Sequence, residues 1–336
     1  MITAISQSTQ PGTLPDWRQG LRDAVTDAHE LLALVGLPEL ANRLPAADAG
    51  FALKVTRSFI RRMRRRDPRD PLLLQVLPVL AELDEVPGFT DDAVGDLDAI
   101  EGHGVLHKYQ GRALLIAAGS CAVNCRYCFR RHFPYAEELA AGHAWYEALK
   151  CLKADPSIGE VILSGGDPLV LSTKKLKDFT DGLRDVPQVT RLRIHSRLPV
   201  VLPERIDAAF CTWLAELPLQ RVVVIHANHA NELDATVAAA CARMQAAGIT
   251  LFNQSVLLRG VNDSADALVD LSERLFAIGV LPYYLHQLDR VRGTAHFEVP
   301  DARARELAHA MRSRLPGFLV PRLVREVAGE DSKHPL

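Results

Sequence analysis

Between residues 112 and 288, short apolar, β-branched runs alternate with stretches of helical apolar spacing, and this alternation limits the fold more than any other feature. The runs are "RALLIAA" (112–118), "EVILSG" (160–165), "RLRIHS" (191–196), "RVVVIHA" (221–227), "TLFNQSVLL" (250–258) and "VLPYYLHQL" (280–288). Segments such as "HAWYEALKCLKA", "KKLKDFTDGLRD" and "DALVDLSERLFAIG" separate them. Strands joined through helices in this way form a parallel sheet with right-handed crossovers. Six strands are too few for a closed eight-fold barrel, so the expected fold is α/β, an open or partial (βα)6 barrel. Polar residues directly follow the apolar heart of each run, as "SGGD", "HSR", "HANH", "NQS" and "HQLD". Parallel α/β barrels collect their catalytic groups at the C-terminal ends of the strands. The polar punctuation therefore outlines one mouth.

The 336 residues divide into an expected helical N-terminal region (1–100), the barrel (101–300) and a C-terminal helix, strand and tail (301–336). In the first part "DWRQGLRDAVTDAHELLALVGL" has helical apolar spacing. The run "RSFIRRMRRRDPRD", with arginines from 57 to 69, reads as a solvated helix face, or else as a docking face for an acidic partner. A net charge of −2 gives no whole-molecule field that favours nucleic acid or an anionic membrane. The start of the chain lacks the basic flank and apolar run of a signal peptide, and no segment has the roughly 20 apolar residues of a membrane helix. A cytoplasmic location is the expectation.

Six cysteines are too few for a disulfide scaffold at this length. Cys151, Cys211 and Cys241 lie in apolar, helix-like surroundings and read as small buried hydrophobes. The other three form Cys121-x3-Cys125-x2-Cys128 directly after the first run. Three thiolates on one loop can converge on a metal centre. Four would complete a tetrahedral zinc site or occupy every iron of a [4Fe–4S] cube, whereas three leave one iron free for a small molecule. Zinc is the alternative, with His132 as the fourth ligand.

This CxxxCxxC at the end of a first barrel strand resembles the radical S-adenosylmethionine (SAM) superfamily. The resemblance implies a radical-SAM partial barrel whose three cysteines hold a [4Fe–4S] cluster and whose free iron chelates SAM. "SGGDPL" at 164–169 fits the segment that meets the cofactor's amino group, through Gly165 and Gly166. Ser196, Arg197 and Gln254, from "HSRLPVVLP" and "NQSVLLRGVND", are candidates for its ribose and carboxylate. "CRYCFRRHF", "LSGGDPL", "NHANE", "NQSVLLRGVND" and "YYLHQLD" narrow the likeness to the lysine 2,3-aminomutase family over roughly residues 50–336. Within it, the chain is most similar to the short forms that serve β-lysylation of elongation factor P.

That family also uses pyridoxal 5′-phosphate (PLP), held as a Schiff base by a tail lysine. "AGEDSKHPL" places this lysine at Lys333, with Ala328 in place of a glycine and His334 in place of Thr or Ser. Spacing alone would leave a terminal lysine in water; the resemblance brings it into the barrel mouth, carried by the strand-like "GFLVPRLVREV". The resemblance further implies Arg112 for the PLP phosphate, Arg130 for the substrate α-carboxylate, and Asp289 with Glu326 for a distal ammonium. Two carboxylates argue for lysine over glutamate as substrate. Glu326 stands where longer members carry aspartate. Ser264 stands where those members have a cysteine, and no structural zinc is expected.

The implied activity is an isomerase converting L-α-lysine to (R)-β-lysine, with a flavodoxin or ferredoxin as electron donor and an elongation factor P lysyl-ligase downstream. Oligomeric state is left open. Two other readings stand beside it: an aminomutase for another amino acid such as glutamate, and a non-catalytic binding module.

Overall fold

The computed structural model describes residues 16–46, 50–100, 102, 104–136 and 143–336. Nine strands form one sheet whose spatial order follows the chain. They are β1 (Val105–Tyr109), β2 (Arg112–Ala118), β3 (Glu160–Gly165), β4 (Arg191–Ser196), β5 (Gln220–His226), β6 (Thr250–Val256), β7 (Leu281–His286), β8 (Arg322–Arg325) and β9 (His334–Pro335). Strands β2 to β8 run parallel. β1 and β9 pair antiparallel at the two edges. The six expected strands are β2 to β7, and "RLVR" adds β8 as a seventh parallel member.

Each parallel connection contains a helix: His143–Ala154, Thr173–Gly182, Ala208–Ala215, Ala235–Ala246, Ala265–Ala277 and Asp301–Arg314. Local chemistry fixes where several of them start. Ser172, Asp207, Asp234 and Ser264 each accept a hydrogen bond from a backbone N–H of the first turn, the usual answer to unpaired helix-start donors. Ser264 thus has an N-capping role.

Alternation along the strands separates core from mouth. Leu192, Ile194, Val223 and Ile225 face outward and join Leu176, Phe179, Phe210, Trp213 and Met244 of the helices in one buried cluster. Their strand neighbours Arg193, His195 and His226, with Gln254 of β6, face a cavity inside the sheet.

In the N-terminal part the stretch of helical apolar spacing is interrupted. "DWRQGLRDAVTDAHELLALVGL" is two helices, Trp17–Arg22 and Ala28–Val35, because Val25 pairs with Val55 as an isolated antiparallel bridge and Asp27 caps the second helix. The basic run is not a uniformly solvated face either. Arg62 donates to the Val200 carbonyl at 2.6 Å and also to that of Glu232, and Arg57 reaches Glu30 at 2.5 Å. These side chains fasten the segment to the barrel and to the preceding helix. Of the scattered cysteines Cys241 is fully buried, whereas Cys151 and Cys211 are only half-buried. Among the described residues no helix is long and apolar enough to cross a membrane.

Candidate active site

The C-terminal strand ends surround a cavity of about 520 Å³, within the range of small-molecule sites. The thirteen residues assigned in the sequence to the cluster, cofactors and substrate all line it: Cys121, Cys125, Cys128, Arg112, Arg130, Gly165, Gly166, Ser196, Arg197, Gln254, Asp289, Glu326 and Lys333.

The cysteine loop leaves the end of β2 and is clamped from below. Glu82 accepts from Arg126 Nε at 2.8 Å and from Arg131 Nη2 at 2.8 Å, so arginines on either side of Cys128 share one buried carboxylate. Arg197 Nη1 lies 2.6 Å from Cys125 Sγ. Burial pushes the Cys121 thiol well up and the Cys128 thiol up to about 11, and the neighbouring sulfurs add to both shifts. The thiols fit a cationic iron cluster, which would hold them as thiolates. Among the described residues, no three Cys, His, Asp or Glu side chains converge as ligands of a single ion do. The Nε2 of His132, the zinc alternative's fourth ligand, lies 3.2 Å from the Arg292 carbonyl oxygen instead.

The glycine pair brings backbone to backbone. Gly165 has φ +111°, and a Cβ there would come within 2.7 Å of the Ala118 carbonyl; a Cβ on Gly166 would come within 2.5 Å of that of Ser120. Gly166 N donates to Ala118 O at 2.6 Å and Asp167 N to Ser120 O at 2.9 Å. The pair therefore docks the end of β3 onto the cysteine loop and presents its edge to the cavity. Asp167, unnoticed in the sequence, is the hub here. Its carboxylate accepts from Ser196 Oγ (2.7 Å), Arg197 N (2.7 Å), Leu169 N (3.0 Å) and Leu198 N (3.1 Å), while burial pushes its pKa up to about 6. Two SAM candidates are thereby engaged with protein. The Ser196 hydroxyl donates to Asp167, and the Arg197 guanidinium spans Cys125, Gln75 (2.7 Å) and Glu232 (3.1 Å). Gln254 stands beside His226 on the adjoining strand.

Charged residues line the same cavity. Lys333 Nζ and the Tyr109 hydroxyl each contact one oxygen of Glu326. Although burial works against it, Lys333 holds the Glu326 carboxyl below its ordinary value. Asp289 behaves in the opposite sense: burial pushes it up to about 7, and Lys333 only partly offsets this. Arg130 donates through Nε to Asp96 at 2.5 Å and through Nη1 to Ser164 Oγ at 3.1 Å. It is buried, not a surface ion-pair residue. Arg112 lies over the Tyr109 ring at 4.8 Å. Ala328 is accommodated because it faces Gly95, where a side-chain carbon would come within 2.9 Å of its methyl group.

His195, His226 and His286 also line the cavity, and the Nε2 atom of each is buried without a protein partner. Burial pushes His195 and His286 well below their ordinary value and His226 down to about 3, which keeps the rings neutral. Buried polar atoms without partners are rare. These, together with the tilted Tyr283–Tyr284 ring pair (centroids 3.8 Å apart) and the Lys333 amine, fit polar, planar cofactors. The strand-end pattern "HSR", "HANH", "HQLD" contained the signal for them.

A solved radical SAM methyltransferase from Sphaerobacter thermophilus matches the fold with a TM-score of 0.50, over 66% of this chain and 68% of that one, at 17% identity. The chain shares the fold of that protein. No family model matches the chain. Curated relatives do. It is 49% identical to the L-lysine 2,3-aminomutase of Escherichia coli (strain K12) over 96% of this chain and 94% of the relative. It is 46% identical to that of Haemophilus influenzae over 95% and 94%, and 32% identical to that of Clostridium subterminale over 96% and 77%. The chain belongs to the L-lysine 2,3-aminomutase family and is an isomerase of the radical SAM type. Membership implies a [4Fe–4S] cluster, SAM and PLP as cofactors.

Proposed function

We propose that the protein converts L-α-lysine to (R)-β-lysine, with the cluster on Cys121, Cys125 and Cys128 and PLP on Lys333. The observation that carries this reading is one cavity lined together by the Lys333 amine, the Asp289 and Glu326 carboxylates and the Arg130 guanidinium. When bound, the cluster with SAM supplies a hydrogen-abstracting radical, and PLP supplies an electron-delocalising ring for the migrating amine. The remaining tasks fall to this chain. Arg130 grips the substrate carboxylate, for which a planar fork suits two oxygens. Asp289 and Glu326 hold the distal ammonium, and Arg112 takes the PLP phosphate. Gly165, Gly166, Ser196, Arg197 and Gln254 form the SAM wall: Ser196 acts through Asp167, Arg197 through Cys125, and Gln254 from beside His226. The enclosed mouth excludes water from a reactive intermediate.

The wider setting rests on the family resemblance. It comprises a flavodoxin or ferredoxin electron donor, delivery of β-lysine to an elongation factor P lysyl-ligase and a cytoplasmic location. Anaerobic reconstitution followed by chiral analysis of products from a panel of amino acids tests the reading. (R)-β-lysine from lysine is expected. Turnover of glutamate but not lysine would overturn it, because glutamate would need a cation or amide where Asp289 and Glu326 stand.

A further inference from the structure

The antiparallel strand β1 contacts two carboxylates of the cavity, Asp96 and Glu326. Its register against β2 slips by one residue between Leu106 and Tyr109, from Leu106↔Leu114 to Tyr109↔Arg112. Such a bulge re-aims the side chains that follow it. Successive residues of a regular strand face opposite sides, yet Lys108 and Tyr109 both line the cavity, whereas His107 turns to Asp155, 3.9 Å away.

The two side chains engage different charged groups of the cavity. Lys108 Nζ lies 2.5 Å from Asp96, the same buried carboxylate that accepts Arg130 Nε at 2.5 Å, and it also donates to the Val94 carbonyl at 2.7 Å. Two cations on one carboxylate leave a net positive charge. Asp96 can therefore orient Arg130 without cancelling it. Tyr109 donates its hydroxyl to Glu326. A glutamate has one more rotatable bond than an aspartate, and this hydrogen bond fixes it.

We infer that β1 is a ruler for the substrate. Through Lys108–Asp96 it positions the carboxylate clamp, and through Tyr109 it positions the ammonium clamp. The bulge thereby sets the distance between the two and selects a diamino acid of one chain length. Lys108, Asp96 and Tyr109 are positioning residues in this scheme. The inference rests on the lysine reading above and adds the origin of its length selectivity.

The test compares L-lysine with L-ornithine, one methylene shorter, on the reconstituted holoenzyme. Steady-state kinetics and equilibrium dialysis of radiolabelled amino acid are the two readouts, and melting curves verify folding. Tyr109→Phe should raise KM and the dissociation constant for lysine about tenfold, as expected for loss of a hydrogen bond to a charged group, with kcat within about twofold. Ornithine should be unaffected, because an unanchored Glu326 can follow a shorter chain, so selectivity falls about tenfold. Lys108→Gln should weaken both substrates alike, since Asp96 then neutralises Arg130, and Lys108→Arg should restore them. Equal effects of Tyr109→Phe on both substrates, or none on either, would overturn the ruler while leaving the lysine reading intact. Wild-type protein that binds no lysine would overturn both.

Discussion

Asp289 is the residue whose chemistry is most exposed to measurement. Burial holds its carboxyl near 7, above the ordinary value of about 3.9. The folded chain therefore binds a proton that the unfolded chain has released between about pH 4 and 7. Stability from this group is present at the acidic end of that window and falls as pH rises through it. A bound ammonium offsets the loss. Two outcomes follow. KM for lysine should rise as pH falls below about 7, because the protonated acid no longer attracts the ammonium. Asp289→Asn should flatten that profile and, at pH 8, melt at a higher temperature than the unliganded wild type. Lys333 provides the complementary test. Lys333→Ala should lose the 400-nm absorbance of bound PLP and all turnover while its iron content stays at the wild-type level, as measured by colorimetric iron assay and visible spectra.

At the scale of elements, the joint between β3 and the cysteine loop is the most constrained. Gly166→Ala would force a methyl carbon to 2.5 Å from the Ser120 carbonyl, where the obstacle is backbone. A loss of about 1–3 kcal/mol is expected, as for other overpacked sites, together with lower iron incorporation. Gly317→Ala, which meets nothing within 4 Å, is the control. What the sequence revealed divides along similar lines. β3 and β4 were legible to the residue, because a β-branched run ending in Gly-Gly or Ser-Arg has no competing pattern. β1 was not: "VLHKY" has no clean period, and its bulge depends on pairing with β2. The break at Val25 was hidden for a like reason, since a tertiary bridge to Val55 overrides the helical spacing. Ser196 was found as a cavity residue, but its hydroxyl's engagement with Asp167 depends on two strands meeting and leaves no mark on the local sequence.

For the molecule as a whole, the tail is attached lightly. β9 pairs over Val324↔Pro335 and Arg325↔His334, both of its residues are exposed, and Leu336 N donates to Leu323 O at 3.1 Å. Deleting residues 328–336 should therefore shift the melting temperature by only a few degrees, about that of a 1 kcal/mol change. PLP retention, followed by visible absorbance, should be lost and the cluster kept. The sheet's two borders bear on a different property. β1 and the residue that follows β8 touch across the opening through Tyr109 and Glu326, with no backbone ladder between the two strands among the described residues. Here a side-chain hydrogen bond sutures the barrel. A lysine lodged between Arg130 and Glu326 would act as an added stitch across that seam. Amide hydrogens of β1 and β8 should then exchange with deuterium more slowly when substrate is present, whereas the interior strands β3 to β6 keep their rates.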